Sequence, residues 1–293
     1  FCATPEFIAA SATALGIAPS HVKIVQPAIA GGFGSRLDMY PHQIIAALLA
    51  RRCGKPVRLL FDRDEEFATD PVRPRTVVRM RTGADADGML LAREADVLVD
   101  GGAYISWGAA TPIVMMHTMG CFYRVPNVRY RGRVVYTNTA PTGAFRGFGN
   151  PEITFAIESQ MDEAARRLGI NPIEMRLRNA NVPDETTPQG SRITSCGMNE
   201  CLEAVREKMK PSAPAGASHP RPPHLRRGIG FAALFHVGGG ARVYRSDGCG
   251  AVVKIDDFGK VTVIVGATDI GQGMETVVAQ IVAAELDVPL EDV

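Results

Sequence analysis

The chain has no apolar run of the roughly 18 residues needed to span a bilayer, and no basic stretch precedes an apolar core at its start. An excess of one charge is also missing, because 32 Lys and Arg residues balance 31 Asp and Glu residues. This balance gives no electrostatic reason to expect nucleic acid or an anionic membrane surface as a partner. We therefore expect a cytoplasmic protein whose partners must be inferred from its sites.

Cysteine and histidine patterns typical of metal sites are missing as well. There is no C-x-x-C pair, no cysteine with a histidine at zinc spacing and no H-E-x-x-H. An iron–sulfur or zinc site held by this chain is therefore not expected. The P-loop G-x-x-x-x-G-K-S/T, the dinucleotide fingerprint and the nucleophile elbow G-x-S-x-G are absent too. The cysteines and histidines are expected to be packing or surface residues: Cys2, Cys53, Cys121, Cys196, Cys201, Cys249, His21, His42, His117, His219, His224 and His236.

Length and composition predict two globular domains. The 293 residues are 46% hydrophobic and 22% charged, enough to bury a sizeable core. Five prolines fall between residues 211 and 225, which we interpret as a linker. The predicted first domain is therefore 1–210 and the start of the second is 226–293. Because the chain begins at Phe1 and stops soon after a helix-like run, we expect both domains to be truncated.

Hydrophobic periodicity predicts helices and strands in alternation, an α+β (mixed α/β) class. The predicted helices begin at Pro5, at the Ile44 to Leu49 run, at Asn150, at Pro172, around Leu202 and at Thr276. The predicted strands are 22–25, 57–61, 76–81, 89–99, 228–235 and two strands within 251–265. Asp87-Gly88 favours a hairpin, so 57–61, 76–81 and 89–99 are predicted to form a β meander.

Three glycine-rich loops are predicted at strand-to-helix junctions: 31–36, 143–149 and 266–273. Such junctions expose main-chain N–H groups at the positive end of a helix, and glycine lets a ligand approach the backbone. Each loop alone is better explained as a tight turn. Together, the three loops indicate a large ligand that carries phosphate.

The loops Gly31 to Arg36, Ala144 to Gly149 and Gly271-Gln272-Gly273 resemble, in that order, the pterin-cofactor loops of the xanthine dehydrogenase and aldehyde oxidoreductase family. Segments between them, such as Gly169 to Arg176, resemble that family too. The resemblance extends over essentially the whole chain. It implies molybdenum-cofactor-binding domains of the xanthine dehydrogenase type, within the large subunit of a molybdenum hydroxylase.

The resemblance implies a molybdopterin cofactor, extended in most bacterial members by a cytosine nucleotide. Phe33 and Gly34 would lie beside the molybdenum's apical oxygen, and Arg146 would hold the pterin. The implied cofactor-binding residues are Gly32, Phe33, Gly34, Arg146, Gly271, Gln272 and Gly273. The metal would be held through the pterin and by no protein side chain.

The family's aromatic pair matches Phe145 and Phe148, which would sandwich a flat substrate; alternatively, both are plain core residues. Leu37 falls where purine oxidisers carry a substrate-binding glutamate, which argues against a purine. Gly147 occupies the position of the cysteine that carbon monoxide dehydrogenases bridge to copper, which argues against that reaction.

By resemblance, the reaction is the hydroxylation of an aldehyde or an aromatic or N-heteroaromatic small molecule with water as the oxygen source. Electrons would leave through 2Fe-2S clusters to FAD on an iron–sulfur subunit and a FAD subunit, or on other domains, in a hetero-oligomer. The general-base glutamate of the family lies C-terminal to the position of Val293. We therefore expect no catalytic residue in this segment, and expect it to be inactive alone.

Three alternatives stay open at this point. The first is a relative of the 4-hydroxybenzoyl-CoA reductase alpha subunit, which is similar around Pro41-His42 but generally lacks the Phe145 and Phe148 pair. The second is a degenerate paralogue that kept the fold and lost the metal. The third is a carbohydrate or nucleotide binder that uses the glycine loops for anions only.

Overall fold

A computed structural model describes residues 5–104, 106–209, 224, 229–236 and 248–293 and confirms the mixed α and β class. The chain divides into two compact units, each built from separated stretches. Unit 1 contains Phe1–Val72, Ala140–Arg146 and Gly239–Val293, and unit 2 contains Arg73–Thr139 and Gly147–Gly238. The predicted linker lies outside the described residues apart from His224, and the domain limits drawn from it stay predictions.

The described residues form helices and strands with the following bounds. The helices are α1 (Pro5–Leu15), α2 (Pro41–Cys53), α3 (Arg63–Thr69), α4 (Thr111–Cys121), α5 (Asn150–Leu168), α6 (Pro172–Asn179), α7 (Met198–Met209) and α8 (Met274–Leu286). The strands are β1 (Thr76–Ala84), β2 (Leu90–Gly102), β3 (Asn127–Tyr136), β4 (Ala251–Ile255) and β5 (Val261–Val265). The six predicted helices are confirmed as α1, α2, α5, α6, α7 and α8.

Unit 1 shows why its helices could be predicted and two of its strands could not. Helix α2 begins with Pro41 at its first position and ends at Gly54, whose φ is 62°, so both signals are local. The predicted strands 22–25 and 57–61 are wrong, because neither segment has a ladder partner among the described residues. Apolar alternation indicates an extended segment, but a strand also needs a neighbour to pair with.

The sheet of unit 2 has the order β1-β2-β3. Strands β1 and β2 are antiparallel across the turn at Gly88, whose φ is 83°, which confirms the predicted hairpin. The predicted β meander is wrong: the third strand is β3, and it runs parallel to β2. A parallel neighbour needs a crossover, and α4, which the sequence analysis missed, supplies part of that crossover.

The core of unit 2 lies between one face of this sheet and helices α4 and α5. Val97 and Val99 on β2 are fully buried together with Met119 on α4 and Ile153 and Ile157 on α5. Burying each such side chain stabilises the fold by about 1.5–3 kcal/mol. This core fixes the start of α5 and therefore the loop that precedes it.

A buried carboxylate, Glu158 on α5, joins three parts of unit 2. It accepts hydrogen bonds from the Tyr123 hydroxyl at 2.6 Å, from Arg176 Nε at 2.9 Å and from the Ala233 main-chain N–H at 2.8 Å. Burial, followed by the charge of Glu158, raises the pKa of Tyr123 well above its ordinary value. The hydroxyl therefore stays protonated and donates.

The predicted strand 228–235 is wrong for the described residues 229–236, which are not in a strand. Their main-chain groups bond to side chains instead of to a neighbouring strand. The Ala233 N–H reaches Glu158, and the Phe231 carbonyl accepts from Arg176 Nη2 at 3.1 Å. The segment after the proline-rich stretch is therefore fastened to unit 2 by a buried ion pair.

Candidate functional site

Two of the three glycine loops contact each other in unit 1. The Arg146 main-chain N–H donates to the Phe33 carbonyl oxygen at 2.9 Å, and the Arg146 guanidinium carbon lies 5.6 Å from the centre of the Phe33 ring. That distance suits a cation–π contact. Gly34 packs against the same loop, because a Cβ at Gly34 would lie only 3.0 Å from the Phe145 Cα and would overlap the Ala144 carbonyl group.

The first loop holds its backbone in an unusual conformation. Phe33 has a φ of 50° although it is not glycine, and its side chain is 59% exposed. A non-glycine residue in the left-handed region costs on the order of 1–2 kcal/mol. The turn is held by Gly32, whose carbonyl accepts from the Ser35 N–H at 2.9 Å and from the Ser35 hydroxyl at 3.0 Å. An exposed phenyl ring on a strained turn is a feature expected of a binding site.

The third loop also joins this group. Gly271, with a φ of 102°, lies against the backbone of residues 29–30, where a Cβ would come within 2.9 Å of the Ile29 carbonyl oxygen. The Ile270 side chain reaches Gly32, at 3.7 Å from the position a Cβ would take there. The three segments that carry the predicted cofactor residues therefore adjoin within one compact unit.

The Gln272 side chain is used inside its own loop. Its Oε1 accepts from the Ile270 N–H at 2.7 Å, and its Nε2 donates to the Thr268 carbonyl at 3.0 Å. Gly273 follows with a φ of 80° and is the N-cap residue of α8. In this arrangement the amide side chain of Gln272 shapes the loop.

Asp269 is a residue of this site that the sequence analysis missed. Its Oδ1 accepts from the Gly271 N–H at 2.7 Å. That hydrogen bond, followed by those from the amides of Glu275, Gly273 and Met274, lowers the pKa of Asp269. The positive end of α8 therefore already faces a carboxylate of its own chain. An Asp two residues before a glycine, close to the start of a helix, was the available signal.

A groove runs along the third loop within unit 1. It has a volume of about 470 Å³ and is lined by residues 26–29, 267–269, Met274 and Glu275. That volume lies within the range of small-molecule sites. Gln26 Nε2 donates to the Asp269 carbonyl oxygen across the groove. The lining residues include an amide, Gln26, and two carboxylates, Asp269 and Glu275, which suits a heterocycle with its own hydrogen-bond donors.

The predicted substrate residues fall on both units. Leu37 and Phe145 adjoin the first loop in unit 1: the Leu37 N–H donates to the Gly34 carbonyl at 3.3 Å, and the Phe145 side chain is 45% exposed. Phe148 belongs to unit 2, where it is half-buried and has a φ of 44°. Phe145 is therefore not a plain core residue.

The prediction of three strand-to-helix junctions is confirmed in full only for the third loop, which links β5 directly to α8. The second loop opens α5, with Gly149 as its N-cap residue. Among the described elements, the first loop neither follows a strand nor opens a helix, since α2 begins only at Pro41. The first loop is therefore a turn in its own right and not the start of a helix.

Metal-binding clusters and membrane spans were also sought in the described residues. No group of three or more His, Cys, Asp or Glu side chains there could hold a metal ion. Of the helices described, none is long and apolar enough to cross a membrane. Arg146 and the groove along the third loop are features of the described residues that suit a ligand.

Comparison with known proteins identifies the family. Two molybdopterin cofactor-binding domain families match the chain, one over residues 5–180 and the other over residues 200–293. A putative xanthine dehydrogenase molybdenum-binding subunit of Escherichia coli K12 is 35% identical over 96% of the chain and 37% of its own length. The nicotine 6-hydroxylase large subunit of Paenarthrobacter nicotinovorans is 29% identical over 95% of the chain and 36% of its own length.

A solved structure shows the same fold. Quinoline 2-oxidoreductase from Pseudomonas putida matches with a TM-score of 0.76 and 27% identity, over 97% of this chain and 38% of that chain. The chain thus spans a little over a third of the length of these relatives. With both family matches and converging loops in place, the chain belongs to the molybdopterin cofactor-binding family of molybdenum hydroxylase large subunits.

Proposed function

We propose that this chain is the cofactor-binding portion of a molybdenum-dependent hydroxylase that oxidises an aldehyde or a flat aromatic or N-heteroaromatic substrate. The observation that carries the proposal is the convergence of the loops at Phe33, Arg146 and Gly271 within one unit. Contacts at strained, glycine-dependent turns add little stability to the fold, so their occurrence between segments this far apart in sequence favours a shared ligand.

The residues present fit a pterin cofactor. Gly34 and Gly271 let separate loops pack main chain against main chain, and Arg146 supplies a forked cation. In this assignment Gly32, Phe33 and Gly34 would face the metal end of the cofactor, Arg146 would hold the pterin, and Gly271, Gln272 and Gly273 would contact the pterin and its phosphate side. The bound cofactor would supply the metal centre for substrate hydroxylation and electron acceptance. The chain's own residues bind and orient it and exclude water.

Asp269 adds a constraint to the phosphate contact. Its carboxylate already faces the amides of Gly271 and Gly273, so a phosphate there would meet a negative charge. We infer that the third loop approaches the uncharged pterin ring more closely than the phosphate. The cofactor assigned is molybdopterin in its cytosine dinucleotide form, as the resemblance implies for bacterial members.

Substrate contacts are assigned to Leu37, Phe145 and Phe148. An apolar residue at position 37 and an exposed aromatic ring at Phe145 favour flat, weakly polar substrates over purines. Iron–sulfur and FAD subunits are the proposed electron acceptors, in a cytoplasmic hetero-oligomer. The 4-hydroxybenzoyl-CoA reductase alternative is not favoured, because the relatives matched are a xanthine dehydrogenase subunit, a nicotine hydroxylase subunit and a quinoline oxidoreductase.

The test uses the full-length protein purified with its partner subunits. We expect stoichiometric molybdenum by elemental analysis and substrate-dependent dye reduction, screened across aldehydes, N-heterocycles and aromatic thioesters. The 293-residue segment alone is expected to show no hydroxylase activity. A folded full-length protein without molybdenum would support the degenerate paralogue, and activity confined to aromatic thioesters would support the reductase.

A further inference from the structure

Every residue of the loop Gly147-Phe148-Gly149 has a positive φ, and Phe148 is strained because it is not glycine. The φ angles are 97° at Gly147, 44° at Phe148 and 93° at Gly149. Such a run of positive φ angles persists only where neighbouring groups hold it. The group that does so here is a buried side chain immediately after the loop, Asn150.

Asn150 is fully buried at the start of α5, and both ends of its amide are bonded. Its Nδ2 donates to the Gly147 carbonyl at 2.7 Å, and its main-chain N–H reaches the same oxygen at 3.0 Å. The Thr118 hydroxyl on α4, also fully buried, donates to Asn150 Oδ1. The amide therefore connects the loop to the packed helix α4.

The Gly147 carbonyl fixes which way the amide points and so settles the direction of a third contact. Asn150 Nδ2 lies 2.9 Å from His236 Nδ1, on the segment that Glu158 and Arg176 fasten to unit 2. The Gly147 carbonyl can only accept, so the nitrogen of the amide must face it. Nδ2 then also donates to His236 Nδ1, which acts as the acceptor. A flipped amide would lose the bond to Gly147.

We propose that Asn150, held by Thr118, is a positioning residue that fixes the Gly147-Phe148-Gly149 loop and with it the ring of Phe148. Its effect on the loop follows from the contacts of its amide. Its effect on substrate binding rests on the proposed function, in which Phe148 contacts the substrate. Leaving the buried amide without its partner would loosen the turn while the core around it remains packed.

The test compares two buried threonines whose hydroxyls differ in their partners. Thr118→Val removes the bond to Asn150 at nearly constant volume. Thr154→Val is the matched control, because Thr154 on α5 is also buried and its hydroxyl has no hydrogen-bond partner among the described residues. Thr118→Ser keeps the donor and should restore wild-type behaviour. All variants are made in the full-length protein with its partner subunits.

Hydrogen exchange of the peptide containing residues 147–150 is the first readout, because it needs neither cofactor nor activity. We expect exchange to accelerate about tenfold in Thr118→Val, the factor that corresponds to loss of one buried hydrogen bond. Thr154→Val and Thr118→Ser should match wild type. Unchanged exchange in Thr118→Val, or equal acceleration in Thr154→Val, overturns the proposal.

Kinetics of the active complex give the second readout. Thr118→Val should raise KM for the best aromatic substrate about tenfold and change kcat by less than about twofold, with full molybdenum content. Faster exchange with unchanged KM would overturn the link to the substrate. If wild-type protein shows no hydroxylase activity, the proposed function fails, and the exchange comparison still decides whether Asn150 fixes the loop.

Discussion

Gly34 lies so close to Ala144 that a Cβ on Gly34 would overlap the Ala144 carbonyl group. Neither residue can move aside without distorting its loop, because the atoms in contact belong to the main chain. The contact joins the loop that carries Phe33 to the loop that carries Arg146, and only glycine permits it. This close approach is the feature of the site most sensitive to a single methyl group.

Gly34→Ala should therefore separate the two loops. An alanine at a φ of 112° is strained, and the overlap with backbone adds an overpacking cost, together about 3 kcal/mol or more. Gly54→Ala is the matched control, since Gly54 also has a positive φ of 62° but no described atom within 4 Å of its Cβ position. It should cost only about 1–2 kcal/mol.

Denaturant unfolding and molybdenum content of the full-length protein check this difference. We expect Gly34→Ala to lose both stability and metal, and Gly54→Ala to retain its metal. Equal effects of the two substitutions would show that positive φ alone, and not the contact between loops, governs the site.

Arg146→Ala should weaken cofactor retention. A charge-assisted hydrogen bond contributes about 1.5–3 kcal/mol. The rate at which molybdenum is lost during dialysis should therefore increase by roughly one to two orders of magnitude. The rate of loss in Arg146→Lys should lie between those of wild type and Arg146→Ala, because lysine keeps the positive charge but lacks the paired N–H donors of the guanidinium. Arg52→Ala, at the exposed end of α2, serves as control. Retention equal to wild type in Arg146→Ala would remove Arg146 from the cofactor site.

Asp269 gives a pH-dependent prediction. Hydrogen bonding to the Gly271 amide, followed by the other amides at the start of α8, holds the pKa of Asp269 below its ordinary value of 3.8. A carboxyl with a depressed pKa in the folded state stabilises the fold fully above its unfolded pKa, and that contribution is lost as pH falls through the folded pKa. The stabilisation is therefore complete at neutral pH and declines below about pH 4.

Asp269→Asn keeps an acceptor for the Gly271 N–H but removes the charge. We expect its unfolding midpoint to lie below that of wild type at pH 7 and the difference to shrink as pH falls below about 4. Asp257→Asn, on the exposed turn between β4 and β5, should show no such convergence. A difference that stays constant down to about pH 2 would assign the effect to hydrogen bonding alone.

Local signals account for what the sequence could predict of the fold. Two of the confirmed helices carry proline in the first turn and glycine at the end, at Pro41 and Gly54 and at Pro151 and Gly169. The hairpin at Gly88 is also a local signal. The parallel pairing of β2 with β3 and the crossover through α4 depend on contacts between distant residues, so periodicity could not reveal them.

The candidate site divides in the same way. Glycines that require a positive φ or a close approach, such as Gly34 and Gly271, could be singled out because several glycines lie close together in the sequence of each loop. The roles of Asp269 and Asn150 could not be predicted, since an Asp or Asn near a turn is common and its role depends on which amides and helices surround it. The resemblance to a known family supplied the roles that spacing alone left open.

The buried carboxylate of Glu158 lies at the centre of unit 2, where it pairs with Arg176. Their side chains are 2.9 Å apart and are 7% and 0% exposed. Removing one partner of such a pair leaves a buried charge uncompensated and costs about 3–5 kcal/mol. Glu158→Gln should therefore destabilise unit 2 by this amount, since Gln cannot neutralise the guanidinium. Glu163→Gln is the control on the same helix, because Glu163 pairs with Arg166 and Arg167 in solvent, where ion pairs contribute little.

Replacing both partners separates two contributions to the free energy of unfolding: the cost of leaving one charge unpaired and the stabilisation that the ion pair itself provides. Glu158→Gln with Arg176→Met should lose less free energy of unfolding than the two single variants added together, because no charge is then left without its main counter-ion. Exchange of the Ala233 amide, which bonds to Glu158, should accelerate in every variant that removes the carboxylate and stay unchanged in Glu163→Gln. Additive losses in the double variant would mean that Asp162, 2.8 Å from Arg176, already compensates the guanidinium, and that Glu158 acts only as an acceptor for the 231–236 segment.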